Sequence, residues 1–327
     1  MSTPLPFDDL TPDTVLNAVD AAGWATDGTL LPLNSYENRV YQLGLVDAAP
    51  VVTKFYRPGR WTDAAIGEEH GFLAELAELD IPVVAPLADG EGNTLIHVGE
   101  HRLSVFPRRG GRSPDLEDLD QLEWLGRFIG RIHAAGRVGR FAHRGELGPA
   151  IGRDSVNFLL DEGFIPDANR AAWTQAAEAL LNDIEAVFAE VSYSPLRLHG
   201  DCHPGNVLWT DAGPHFVDFD DALSGPAIQD LWMLLGGERQ EMQIQLDALL
   251  EGYETFADFD RRELQLIEAL RGLRILQHAG WLARRWHDPA FPRAFPWFNT
   301  PRFWDEHLLN LREQGARMHQ PALKLGP

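Results

Sequence analysis

A single cysteine, Cys202, is all the thiol chemistry available to this chain of 327 residues. No intramolecular disulfide can form, so a disulfide-stapled scaffold is excluded, and a cysteine-built zinc site lacks its ligands. Basic residues are also scarce: 28 Lys and Arg stand against 49 Asp and Glu, a formal charge of −21. A field of that sign repels nucleic acid over most of the surface and tolerates basic partners, whether a basic protein segment or a polyamine. No apolar run reaches the length of a membrane span. The opening MSTPLPFDDLTPD is acidic and has no apolar h-region. We therefore expect no nucleic-acid partner, no membrane partner, no signal peptide and a cytoplasmic location. Internal repeats and low-complexity segments are missing too. What is left is 44% hydrophobic and 24% charged, an ordinary globular composition with enough chain for one large domain or two lobes.

The first third reads mostly as strands. RVYQLGL (39–45) alternates, DAAP follows as a turn, and PVVTKFYR (50–57) is β-branched and aromatic. A period of two puts Val52, Lys54 and Tyr56 on one face and Val51, Thr53 and Phe55 on the other. AAIGEEHGFLAELAEL (64–79) has helical spacing, with Ile66, Phe72, Leu73, Leu76 and Leu79 near one stripe. IPVVAPL, NTLIHV and HRLSVF read as three further strands. RRGGRSPD (108–115) is rich in turn residues and marks a boundary. Beyond it, 119–136 and 169–190 are amphipathic helices, and helical patterns resume at QDLWMLL (229–235). The expectation is an α+β chain of two lobes, a small β-rich one at 1–107 and a larger helical one at 108–327.

One stretch interrupts the helical part. LHGDCHPGNVLWTDAGPHFVDFDDA (198–222) packs three histidines, the cysteine and five aspartates into 25 residues. PLRLHGD reads as a short strand entering a loop, and NVLWT and HFVDF flank DAGP as a hairpin. Two chemistries compete. His199, Asp201 and His203 alternate like zinc ligands of a hydrolase. That reading lacks a second ligand cluster, and Pro204-Gly205 turns the loop away from the extended form it needs. Phosphoryl transfer instead needs a carboxylate near the attacking hydroxyl, oxygen ligands for a metal that bridges phosphates, and a cation on the phosphates. Asp201 sits where a strand opens into a loop, and Asn206 follows five residues on, the spacing of the protein-kinase catalytic loop. Asp218 closes the second hairpin strand, where a kinase keeps its metal-binding aspartate. Asn206 and Asp218 offer the hard oxygens that magnesium prefers. Each residue alone could simply serve a turn; all three in this order around a hairpin point to chemistry.

Lys54 is the candidate cation. A lysine in mid-strand is an edge-strand feature unless it points into a cleft. Glu68 and Glu69, on the following helix, are its candidate partners. Glu69 fits better, lying seven residues before Leu76 in the apolar register, while Glu68 is compatible with a solvated helix face.

With these residues in place, a resemblance emerges. His199-Gly200-Asp201, Asn206 and the aspartate of VDFD resemble the motif of aminoglycoside phosphotransferases and choline kinases, which are bilobal, protein-kinase-like enzymes. LNSYENRVYQ, KFYRP, RW, EEH, RLHGDCH, GPA, QDLWMLL, RRW, DPAFP and FPW look like the bacterial stress response kinases of that group. Those are cytoplasmic serine/threonine protein kinases, and the likeness spans essentially the whole chain. The resemblance implies an ATP- and Mg2+-dependent phosphotransferase acting on Ser/Thr of a protein, autophosphorylation included. It implies Asp201 as proton acceptor, Asn206 and Asp218 as magnesium ligands, and Ser35 on the ATP phosphates. Lys54 would also reach the phosphates, paired with Glu69. The backbone at Val105 to Pro107 would receive adenine, and Asp230 would brace the catalytic loop. Departures from ordinary protein kinases are clear: no G-x-G-x-x-G, HGD in place of HRD, VDFD in place of DFG, and no A-P-E. The turn at 34–38 must then serve the phosphates through backbone N–H groups and the Ser35 hydroxyl. Regulation through a phosphorylated activation loop is not expected.

The motif itself does not choose the acceptor. A small-molecule kinase acting on an aminoglycoside, choline or homoserine would use the same residues. A binding module derived from a kinase is a third class, against which the complete set Lys54, Asp201, Asn206 and Asp218 argues. Cys202 reads as a buried filler, since a thiolate beside carboxylates is disfavoured. WLARRWHDPAFPRAFPWFNTPRFW (281–304) interleaves arginine with aromatics and reads as a packed cap bordering the acceptor cleft, rather than a base-stacking surface.

Overall fold

A computed structural model describes residues 5–325. Helix α1 (Pro12–Ala21) starts with proline at its first position, and the Thr11 hydroxyl accepts from the Thr14 N–H. Strands β1 (Thr26–Pro32), β2 (Arg39–Leu45) and β3 (Ala48–Phe55) follow, with Asp47 in the left-handed region at the β2–β3 turn. Helix α2 (Asp63–Glu78) is capped by Thr62, and strands β4 (Ile96–Val98) and β5 (His101–Pro107) complete an antiparallel five-stranded sheet of order β1-β2-β3-β5-β4. Its register sets Lys54 opposite Ser104. Val51, Phe55, Leu103 and Val105 pack with Val15 and Val19 of α1 into a small core.

The rest is mainly helical: α3 (Leu119–Gly136), α4 (Pro149–Asp161) and α5 (Asp167–Glu190) come first. Four short strands interrupt, β6 (Leu196–Leu198), β7 (Val207–Thr210), β8 (Gly213–Phe216) and β9 (Leu223–Gly225), pairing β6 with β9 and β7 with β8. Then follow α6 (Gln229–Trp232), α7 (Arg239–Tyr253), α8 (Ile267–Arg285), α9 (Ala290–Ala294) and α10 (Pro301–Met318). Helices α3 and α7 cross backbone to backbone. A Cβ at Gly126 would overlap the Leu249 carbonyl, and one at Gly252 would overlap the Glu123 carbonyl. No helix among the described residues is long and apolar enough to cross a membrane.

The α+β expectation holds: a sheet-built N-terminal region precedes a helical C-terminal one. Several local readings do not: Ala48–Pro50 of the DAAP turn belong to β3, and the second hairpin strand is Gly213–Phe216 rather than HFVDF, which leaves Asp218 beyond its end. IPVVAPL is irregular chain held by single bridges, Val83 to Phe216 and Leu87 to Val105, because Pro82 and Pro86 remove ladder donors. NTLIHV is a strand only from Ile96, and QDLWMLL is helical over four residues. Helix α2 also turns its apolar face away from the small core. Its Phe72, Leu73 and Leu76 pack into the large C-terminal core, so this helix fastens the sheet region onto the helical one.

Candidate active site

The segment from 198 to 222 is shaped from behind by one carboxylate. Asp230, buried at 1% exposure, accepts from the His199 N–H (2.8 Å) and the His133 Nε2 (3.0 Å) on one oxygen. Its other oxygen accepts from the Gly200 N–H (2.9 Å). Gly200 has φ +87°, and a Cβ there would overlap the Asp221 carbonyl, so only glycine makes this corner. The Gln229 amide donates to the Gly200 carbonyl at 2.8 Å. His199 braces the loop as well. Its Nδ1 accepts from the Asp201 N–H and its Nε2 donates to the Val217 carbonyl at 2.9 Å. Both ring nitrogens are thus spent on backbone groups, which removes His199 as a zinc ligand.

Beyond the corner, Asp201 faces a cavity of about 260 Å³ lined in part by Gly200, Trp232, Leu273, Arg274 and Trp281. Arg274 Nη1 donates to Asp201 Oδ1 at 2.7 Å, and His203 Nε2 lies 3.4 Å from Oδ2. Burial works to raise the Asp201 carboxyl, but His203 and Arg274 outweigh it and hold it well below the usual carboxylate range. Asn206 donates its amide N–H to the Asp201 carbonyl (3.0 Å), and its carbonyl accepts from the Val217 N–H (3.0 Å). Its amide oxygen has no partner among the described residues. Asp218 follows with φ 59° and ψ 62°, a left-handed conformation that costs a non-glycine residue about 1–2 kcal/mol. That backbone turns the carboxylate outward; its side chain is 56% exposed and only Oδ1 is engaged, by Lys54 at 3.2 Å.

Lys54 reaches out of β3 to this group. Its Nζ is 2.9 Å from Asp220 Oδ1, 3.2 Å from Asp218 Oδ1 and 3.8 Å from Glu69 Oε1. Burial pulls the ammonium down, but Asp220, Asp218 and Glu69 together raise it, so it stays charged. The expected pairing with Glu69 is therefore present and is the longest of the three. Glu69 gives its shorter contact, 2.8 Å, to Arg144, which also holds the Asp220 and Ala222 carbonyls. Glu68 is half-buried and engaged: its carboxylate accepts from the N–H groups of Ala142, His143 and Arg144.

The turn at 34–38 is tied down at several points. The Ser35 hydroxyl donates to the Asn38 carbonyl at 3.1 Å. Asn38 donates to Asp220 Oδ2 (3.1 Å) and accepts from the Arg57 N–H (3.0 Å). Glu37 accepts from Trp281 Nε1 (2.6 Å) and Arg285 (2.9 Å) and sits 3.2 Å from Arg57 Nε. Arg57 and Arg39 also pair with Asp288, and Arg60 joins Asp220 and Asp221. The Arg-aromatic segment after 281 is the packed cap expected of it, and its Trp281 lines the cavity. Val105 fits its expected role least well. Its side chain lies in the small core and its carbonyl already accepts from the Leu87 N–H at 2.7 Å. A base would have to use the backbone that follows it, from 106 on. Cys202 is buried, and burial, with Asp230 and Asp201, pushes its thiol up.

Asp220, Arg60, Arg144, Glu37 and Arg274 were not singled out in the sequence. Their partners lie far along the chain, and no local pattern marks them, although the doubled acid of FDD at 219–221 was a visible cue for Asp220.

The arrangement can hold polyphosphate oxygens near Lys54, offer hard oxygens from Asn206 and Asp218, and present a carboxylate to a hydroxyl in the cavity. Comparison with known proteins gives the family. Residues 29–267 match the family model described as "Phosphotransferase enzyme family". The chain is 44% identical over 322 residues to stress response kinase A of Salmonella choleraesuis (strain SC-B67), covering 98% of this chain and 97% of that protein. Identity is also 44%, at the same coverage, to a Salmonella typhimurium (strain LT2) protein named serine/threonine protein kinase RdoA. This chain therefore belongs to the phosphotransferase enzyme family and, within it, to the stress response kinase A group. Solved structures share the fold at low identity. An amicoumacin kinase, hAmiN, solved with AMP-PNP, Ca2+ and Ami, superposes with TM-score 0.74 at 18% identity over 96% of each chain. A microcompartment-associated aminopropanol kinase gives 0.67 at 17% identity, covering 93% of this chain and 96% of its own.

Proposed function

We propose that this protein is an ATP-dependent serine/threonine protein kinase that uses magnesium, with its nucleotide cleft at the junction of the 1–107 and 108–327 regions. The observation that carries the reading is the meeting of Lys54, from the sheet, with Asp218, from the hairpin, a few residues from Asn206 and beside the Asp201 cavity. Asn206 and Asp218 fit a hard cation, since each keeps an oxygen without a protein partner among the described residues. When bound, magnesium supplies charge neutralisation on the phosphates.

The roles of the chain's own groups follow. Lys54 binds phosphate oxygens from a site in which its charge is already secured. Ser35 and the backbone of the 34–38 turn lie over the phosphates, and the backbone after Val105 takes the base. Asp201 orients the acceptor hydroxyl and takes its proton, as the new oxygen–phosphorus bond forms and the bridging bond to the leaving diphosphate breaks. Asp230 keeps Asp201 in place. The acceptor is a Ser or Thr hydroxyl of a protein, this chain's own included. A small alcohol is the second reading, favoured by the walled cavity beside Asp201.

The test is transfer of label from γ-labelled ATP by the protein and by Asp201→Asn, each offered a basic test protein, no acceptor, or a panel of aminoglycosides, choline and homoserine. Phosphoserine or phosphothreonine that falls about 10²–10⁴-fold in the variant is the expected result. Label moving only to a small alcohol makes the second reading correct. Unchanged turnover in the variant removes Asp201 from the mechanism.

A further inference from the structure

Asp201 is held from two sides by groups of different origin. His203 is local. Its Nδ1 accepts from the Gly205 N–H at 3.0 Å, which leaves Nε2 to face Asp201 Oδ2. Arg274 comes from α8 and gives its Nη1 to Oδ1 at 2.7 Å. It is the only residue outside the 198–222 segment that bonds the Asp201 carboxylate among the described residues. Its side chain is 47% exposed, so as an ion pair it adds little to folding.

Helix geometry shows why α8 suits this task. Arg274, His278, Trp281 and Arg285 recur at helical spacing along one stripe. At 1.5 Å per residue the stripe from Arg274 to Arg285 spans about 16 Å. One end grips Asp201; at the other, Trp281 and Arg285 grip Glu37 in the turn that lies over the phosphates. The helix is buried along its opposite side by Ala269, Gly272, Leu276, Ala279 and Ala283. A rigid, packed element thus references the proton acceptor and the phosphate turn to the same axis, and sites held by helices are more precise than sites held by loops alone.

We propose that Arg274 is a positioning residue for the transfer reaction: it aims the Asp201 carboxylate at the cavity, without itself touching the nucleotide. The inference rests on Asp201 being the proton acceptor. With Oδ1 fixed by Arg274 and Oδ2 only loosely approached by His203, the lone pairs left for an acceptor hydroxyl have a defined direction. Without the guanidinium the carboxylate keeps one long, weak tether and swings.

A double-mutant cycle on kcat tests this, because a residue acting through Asp201 loses its effect once the carboxylate is gone. Arg274→Ala is expected to lower kcat about tenfold, the size of one oriented charge-assisted contact, with KM for ATP unchanged. In the Asp201→Asn background the same change is expected to do nothing further. Arg274→Lys, which keeps a donor and the charge, should recover part of the loss, and guanidinium ion added to Arg274→Ala should do the same. An equal fold-loss in both backgrounds, or a loss confined to KM for ATP or for the acceptor, overturns the proposal. If Arg274→Ala proves unfolded by circular dichroism, Arg274→Gln carries the same cycle. Asp201→Asn with undiminished kcat would instead defeat the functional reading on which the proposal stands, a distinct outcome.

Discussion

Replacing Asp230 by alanine strips three buried donors of their acceptor at once: the N–H groups of His199 and Gly200 at 2.8 and 2.9 Å and the ring of His133 at 3.0 Å. Water cannot readily substitute where the residue is only 1% exposed. An unpaired buried donor costs about 1–3 kcal/mol, and the costs in one network do not add in full. Breaking a buried charged contact by removing one partner typically costs about 3–5 kcal/mol, and we expect Asp230→Ala to fall there. That is a large share of the roughly 5–15 kcal/mol that holds a domain together. Urea unfolding followed by circular dichroism should show the midpoint fall with little change in slope. Asp230→Asn keeps the shape but swaps one acceptor for a donor facing a donor, so its loss should be of similar sign and smaller. Both variants should lose kcat at temperatures where they remain folded, because Gly200 and Asp201 follow directly on the braced bonds. A loss of stability below about 1 kcal/mol for Asp230→Ala would refute the argument that one carboxylate shapes this loop.

Three further outcomes are expected. Asp218→Asn should weaken magnesium-dependent nucleotide binding by calorimetry while leaving the fold intact, since the side chain is 56% exposed; identical Mg-ATP affinity would contradict its role as a ligand. His70 bonds Tyr56 and Thr94 in the buried space behind Lys54, and burial, with Lys54 and Arg144, pushes its pKa down to about 3. The unfolded chain therefore binds a proton that the folded chain refuses between about pH 6.5 and 3. Stability is fully present above that window and falls as the pH drops through it, by up to about 1.4 kcal/mol per pH unit; His70→Gln should flatten this slope in urea titrations between pH 6.5 and 4. Gly252→Ala should force α3 and α7 apart where the Glu123 carbonyl approaches, lowering Tm by several degrees, and an unchanged Tm would mean that the crossing relaxes freely.

Much of this was legible in the residues. RVYQLGL and the helices at 119–136 and 169–190 announce themselves because their pattern of apolar residues in sequence is local, and the structure places them within two residues of expectation. IPVVAPL misleads because a short apolar run looks alike as strand or as buried coil, and only its two prolines argue for coil. The expectation from sequence contains neither α1 nor β1. At the site, Asp201, Asn206 and Asp218 stand out because turn chemistry and hairpin pattern order them along one segment. The charges around them do not stand out. Arg60 meets Asp220 and Asp221 across about 160 residues, and Glu37 meets Arg285 across 248. Nothing in local sequence distinguishes these arginines from solvated ones, for pairing at that range is decided by how the two regions close on each other.

The turn at 34–38 is fastened to the helical region by Glu37 on Trp281 and Arg285, and by Asn38 on Asp220. In kinetic terms this makes it a closed door rather than a loose flap. Lifting it breaks several charge-assisted bonds together, so the cleft opens as a collective event on the microsecond-to-millisecond scale of domain motion, not as loop flutter. On the proposed reading, the residence time of a nucleotide beneath it is set by those contacts as much as by its own, and because they are largely buried, added salt moves it far less than it would a surface contact.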